Sequence, residues 1–103
     1  MKVIGVRVNE PAKVEQIDGS LESMQKFVGG YIEMLPLEDE LVLICNEEGK
    51  LNHLPFNRLI LNEKGQPYDV IAGDFFICNA PFDSEDFESV PDDKVDYLLK
   101  KYA

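Results

Sequence analysis

Leu41-Val42-Leu43-Ile44-Cys45 is a run of consecutive apolar residues with no polar face. An element exposed on one side would interrupt such a run at its own period. The segment therefore reads as a central strand covered on both sides, with a short buried helix as the alternative that pattern alone leaves open. The flanking chain must then supply both covers. Asn46-Glu47-Glu48-Gly49 breaks the run with tight-turn chemistry, and a hairpin back into Lys50-Leu51 is the expected continuation.

Upstream, Val3, Gly5 and Arg7 alternate with Ile4, Val6 and Val8 in a β-branched strand over residues 2–9, which Glu10-Pro11 ends. Residues 14–17 read as a second strand, paired with the first as a hairpin before the Asp18-Gly19 turn. Ser20 is a helix cap, and Leu21, Met24, Phe27 and Val28 follow at helical spacing on one face. Gly29-Gly30 stops that helix, since glycine takes the left-handed cap conformation without steric cost. Residues 31–35 read as a strand leading into an acidic turn.

Downstream, Pro55 excludes a helix through its own position but permits one to begin over residues 56–60. Asn62-Glu63-Lys64-Gly65 is a polar turn, residues 74–79 form the last core strand, and residues 83–89 read as a mobile crossing. A final helix enters at Pro91 and places Val95, Leu98, Leu99 and Tyr102 on one stripe. Its Asp92, Asp93 and Asp96 lie near the start and Lys100-Lys101 near the end, the order that complements the helix dipole. The expected architecture is α+β, a mainly antiparallel sheet of about five strands with two helices, in a single domain over residues 1–103.

With 20 acidic against 10 basic residues the net charge is -10. The resulting negative field disfavours nucleic acid and anionic membrane and favours a basic protein partner. Arg7 interrupts the first apolar stretch far short of a signal sequence or membrane span, so a cytoplasmic location is expected. Cys45 and Cys78 are then free core thiols rather than a disulfide. Because one sheet face could require a partner, a homodimer is also open.

Reactive groups are sparse. His53 is the only histidine, threonine is absent, and neither a C-x-x-C nor an H-x-x-x-H spacing occurs. No metal site, cofactor or catalytic residue is expected. A Cys45–His53 pairing across a hairpin is the nearest approach to a nucleophile and base, and a core thiol beside a loop histidine is the simpler reading. Cationic residues cluster once, as Lys50, His53 and Arg58 with Asn52 and Asn57. The candidate ligand site is Tyr31, Asn46, Lys50, Asn57 and Arg58, in which Arg58 forks to a phosphate or carboxylate, the amides read a polar group and Tyr31 stacks. The structural alternative is that Asn57 satisfies backbone groups at a turn and Arg58 pairs with Glu47 or Glu48. A separate possibility lies in the carboxylates of residues 83–96, spaced so as to imitate a line of phosphates.

Asp18-Gly19-Ser20-Leu21-Glu22, Val28-Gly29-Gly30-Tyr31-Ile32-Glu33, Asn46-Glu47-Glu48-Gly49-Lys50, Leu54-Pro55 with Asn57-Arg58, and Ile71-Ala72-Gly73-Asp74-Phe75-Phe76-Ile77 occur in this order. The pattern resembles the domain of unknown function family 3846. The resemblance implies an accessory protein of a bacteriophage or mobile element, acting in the cytoplasm of a bacterial host cell, and brings no activity with it. The resulting expectation is a non-enzymatic binding protein that sequesters a small anionic ligand or modulates a host factor, including a defence component. The alternative is an acidic DNA mimic that occludes a nucleic-acid-binding host protein.

Overall fold

The computed structural model describes residues 1–103. Its elements are β1 (Lys2–Val6), β2 (Lys13–Gln16), α1 (Leu21–Val28), β3 (Ile32–Pro36), β4 (Leu41–Asn46), β5 (Phe56–Leu61), β6 (Pro67–Ala72), β7 (Phe75–Asn79) and α2 (Asp92–Lys101). Five strands form one sheet in the order β2-β1-β7-β4-β3, and β5 and β6 form a second. Every pairing is antiparallel. The fold is therefore α+β, with the expected main sheet and helices and an additional two-stranded sheet.

Leu41–Asn46 is buried along its whole length, and β7 beside it is buried from Phe75 to Cys78. Alternation divides these strands between two cores. Leu41, Leu43, Cys45, Phe75 and Ile77 join Ile4 and Val6 on one face, covered by Ile60 and Ile71 of the small sheet and by Leu98 and Tyr102 around the end of α2. Val42, Ile44, Phe76 and Cys78 join Val3 on the other, covered by Met24 and Val28 of α1. Cys45 and Cys78 lie on adjacent strands but on opposite faces, and both are free thiols.

The Ser20 hydroxyl accepts from Ser23 N at 3.0 Å, capping α1 as its sequence implies. Gly29 ends the helix at φ 82°. Leu21, placed on the buried face by its spacing, is instead 55% exposed, because the helix packs chiefly through its second turn at Met24 and Val28.

Two other expectations change. No hairpin returns through Lys50-Leu51. The chain winds instead into a compact turn in which Asn52 N donates to Glu48 O at 2.8 Å and Leu54 N to Gly49 O at 2.9 Å, with His53 at φ 57°. Gly49 permits this because its Cα lies against the Ala72 carbonyl, where a Cβ would approach to 2.8 Å. Residues 56–60 are strand rather than helix. Gly73 N donates to Pro55 O at 2.7 Å, which pins the chain beside β6, and a bulge at Asn57 then turns its side chain inward. The crossing at residues 83–89 is tied down at its end by reciprocal bonds between Asn79 and Glu88.

Met24→Ala is expected to lower the unfolding free energy by about 2–3 kcal/mol and Leu21→Ala by less than about 0.5 kcal/mol. Urea denaturation of the two variants measures the difference; equal losses would mean that α1 packs as its spacing alone implies.

Candidate functional site

The five residues singled out in the sequence do not converge. Asn57 is buried on the β5 bulge, where its Nδ2 donates to Val6 O and Gly73 O, each at 2.8 Å. Arg58 turns back along the same segment. Its Nη1 donates to Asn57 Oδ1 at 2.8 Å, and its Nη2 donates to Glu10 O at 2.7 Å and Tyr102 O at 3.2 Å. The expected pairing with Glu47 or Glu48 does not form. The guanidinium serves backbone carbonyls of the loop after β1 and of the end of α2, so Asn57 and Arg58 hold the small sheet and the last helix to β1.

Asn46 has a similar part in the opposite layer. Its Nδ2 donates to Val28 O at 3.2 Å, and its Oδ1 accepts from Glu48 N at 2.8 Å. One buried amide thus joins the last turn of α1 to the turn after β4. Gly30 is small for the same reason, since a Cβ there would lie 2.8 Å from Asn46 Nδ2.

Lys50 Nζ donates to Asp69 Oδ1 at 2.9 Å, which holds the Asp69 carboxyl below its usual range. Asn46, Lys50 and Asp69 line a cleft of about 320 Å³ that also receives Glu33 and Cys45. The Cys45 thiol faces Glu33 Oε1 at 3.8 Å, and burial, followed by the Glu33 charge, pushes it up to about 12. His53 is exposed and outside the cleft lining, so the thiol and the imidazole are not brought together there. Tyr31 is 68% exposed and also outside it. No group of three His, Cys, Asp or Glu side chains is placed to hold a metal ion, and no helix is long and apolar enough to cross a membrane.

A larger groove, about 490 Å³, lies between the β5–β6 hairpin tip, the turn after β3 and the end of α2, with Lys64, Gln66, Tyr68 and Lys101 in its wall. An adjoining depression of about 600 Å³ adds Tyr97 and Lys100 and shares Glu38 and Glu63 with the groove. The ion pairs of the chain involve Lys2, Arg7, Lys13, Lys50 and Lys94, so Lys64, Lys100 and Lys101 have no carboxylate partner. Lys101 Nζ sits 5.6 Å from the Tyr97 ring centroid and donates to the Tyr97 hydroxyl at 3.4 Å, while the nearby Glu38 carboxylate, followed by burial, pushes that phenol up to about 12. Sequence reading missed this gathering because Lys64 reaches the α2 lysines only through the hairpin. The adjacent pair Lys100-Lys101 was the available signal, and it reads equally well as dipole compensation.

A family model described as Domain of unknown function (DUF3846) matches residues 1–103. No curated protein and no solved structure matches the chain.

Asn57→Ala leaves two buried carbonyls without their donor and is expected to cost about 2–3 kcal/mol of stability, read from urea unfolding. A loss below about 0.5 kcal/mol would show that the amide is not a structural tie. The thiols give a pH dependence. Cys45 and Cys78 ordinarily titrate at 9.0 and are raised to about 12 in the fold, chiefly by burial. The unfolded chain loses these protons first, so their contribution is complete below pH 9.0 and falls as pH rises toward about 12. At pH 8, thiol labelling with a maleimide is expected to be at least about tenfold slower in the folded protein than in denaturant, and equal rates would refute thiolate suppression.

Proposed function

This chain belongs to the DUF3846 family, and we propose that it is a non-enzymatic binding protein that captures a small anionic ligand in the groove between the β5–β6 hairpin tip and the end of α2. One observation carries the reading: in a chain of net charge -10, three lysines free of carboxylate partners line two adjoining hollows, Lys64 the groove, Lys100 the depression beside it and Lys101 both. The Tyr102 carbonyl at the end of α2 already accepts from Arg58 and from Ala12 N. Lys100 Nζ makes no hydrogen bond and Lys101 Nζ only a long one, 3.4 Å, to the Tyr97 hydroxyl, so both ammonium groups are available to a ligand. Tyr68 and Tyr97, each about half exposed, offer apolar faces beside them, a combination suited to a phosphorylated aromatic compound such as a nucleotide.

The site differs from the cluster around Arg58 that the sequence singles out, because Asn57 and Arg58 are occupied in holding layers together. Holding rather than converting is the favoured mode, since the one thiol that lines a cleft is suppressed and separated from the imidazole. The mobile-element setting implied by the family resemblance gives such capture a purpose, the withdrawal of a host signal or the modulation of a host defence factor.

A second reading, mimicry of DNA, is favoured by a different surface. Asp83, Glu85, Asp86, Glu88, Asp93 and Asp96 are exposed and outside every ion pair, while Asp92 is bound by Lys2. A partner with a phosphate-binding groove would dock there.

Calorimetry with ATP and cyclic dinucleotides separates the readings. The K64A/K100A/K101A variant is expected to fold normally and to lose at least about tenfold in affinity for the nucleotide that binds, while Lys50→Ala retains it. Unchanged affinity in the triple variant, or no binding across the panel, would sink the anion groove.

A further inference from the structure

We propose that the free edge of β3 is a docking site for an extended, basic segment of a partner protein, which adds to the five-stranded sheet as a sixth strand. The observation is independent of the lysine groove. Glu47 N donates to Tyr31 O and Leu37 N donates to Leu41 O, which fixes the bonded pairs of the β3–β4 ladder at Tyr31, Glu33, Leu35 and Leu37. The intervening Ile32 and Met34 therefore turn their N–H and C=O groups away from β4, toward the open side of the sheet. β3 is the terminal strand of that sheet. Pro36, which shares the outward parity, has no N–H to leave unpaired.

Comparison with β2 and β6 supports the choice of this edge. β2 at the opposite end of the sheet is short and charged, carrying Lys13 and Glu15, and the backbone leading into it is closed where Ala12 N donates to Tyr102 O. β6 has its edge blunted: Asp69 Oδ1 accepts from Val70 N at 2.7 Å and from Lys50 Nζ at 2.9 Å. β3 is protected only at its end, by Pro36, and no side chain bonds the outward N–H groups of Ile32 and Met34. It leaves Met34 47% exposed and is bordered by clefts on the side of β6, one lined by Glu33 and the other by Pro36. An exposed edge of this kind recognises an added strand through main-chain bonds, and the flanking side chains set its sequence.

Charge selects the occupant. Glu33, Glu47 and Glu48 are exposed at the start of β3, and Glu38 follows its end. A second copy would bring Glu33 and another net charge of -10 to the same edge, so self-pairing is opposed. A strand that alternates is matched, with Lys or Arg on the Glu33 face and apolar side chains on the face of Ile32 and Met34, where Ile32 packs with the α1-covered core.

The test uses the full chain and a synthetic peptide of alternating Lys and Val, with an alternating Glu and Val peptide of equal length as control. The Lys–Val peptide is expected to bind at least about tenfold more tightly, and amide hydrogen exchange is expected to slow at Ile32 and Met34. Met34→Pro removes an outward N–H without removing a bond to β4 and is expected to abolish the binding. If that variant does not fold, exchange in the unaltered protein decides the matter. Binding of the Lys–Val peptide without protection at Ile32 and Met34 overturns the proposal, as does equal affinity for the two peptides. Protection that rises with protein concentration in the absence of peptide assigns the edge to a second copy instead and equally overturns it.

Discussion

The side-by-side burial of β4 and β7 is the constraint from which the remaining structure follows. Leu41–Asn46 and Phe75–Cys78 present apolar side chains in both directions, so a single covering layer would leave one face wet. Burying a Val, Leu, Ile or Phe side chain contributes about 1.5–3 kcal/mol, and several such side chains face each way. The chain meets this demand with α1 on one face and with β5, β6 and α2 on the other. Both covers are small, and neither could bury its own apolar face in isolation.

Small covers need ties, and these are polar. Asn46 anchors the end of α1 to the turn after β4, Asn57 anchors the β5 bulge to β1 and to the turn before β7, and Arg58 anchors the end of α2. Each supplies donors to carbonyls that turns and helix ends leave unpaired, where an unmade bond would cost the desolvation of the group. Residues that look like a ligand-reading cluster in sequence are thus consumed by architecture. Lys64 on the hairpin tip and Lys100 and Lys101 on the last turn of α2 stay outside the ion pairs, as does Lys26 on α1, and the first three border the proposed groove and the depression beside it.

Legibility from sequence followed the range of the interactions. The α1 cap at Ser20, the stop at Gly29, the central strand at Leu41–Asn46 and the buried α2 positions Leu98 and Tyr102 depend on local pattern and were readable. The β5–β6 pair was not. Pro55 next to Phe56 is compatible with a helix start, and only the Gly73 N–H reaching Pro55 O, across a hairpin, makes it a strand. The sequence offers Asn57 as a partner for backbone groups at a turn, but its acceptors at Val6 and Gly73 are far off in the chain. The placement of Lys64 across a groove from Lys101, with Lys100 in the depression beside it, depends on the same hairpin.

The proposed mode of action is the holding of an anion unchanged. Mass spectrometry of small molecules released by heat from protein purified out of its native host tests it most directly. The expected result is an anionic compound approaching one equivalent, recovered with the same mass after prolonged incubation with the folded protein and missing from preparations that lack the three groove lysines. Recovery of no anionic compound, or its steady conversion into a product, would rule out capture as the mode of action.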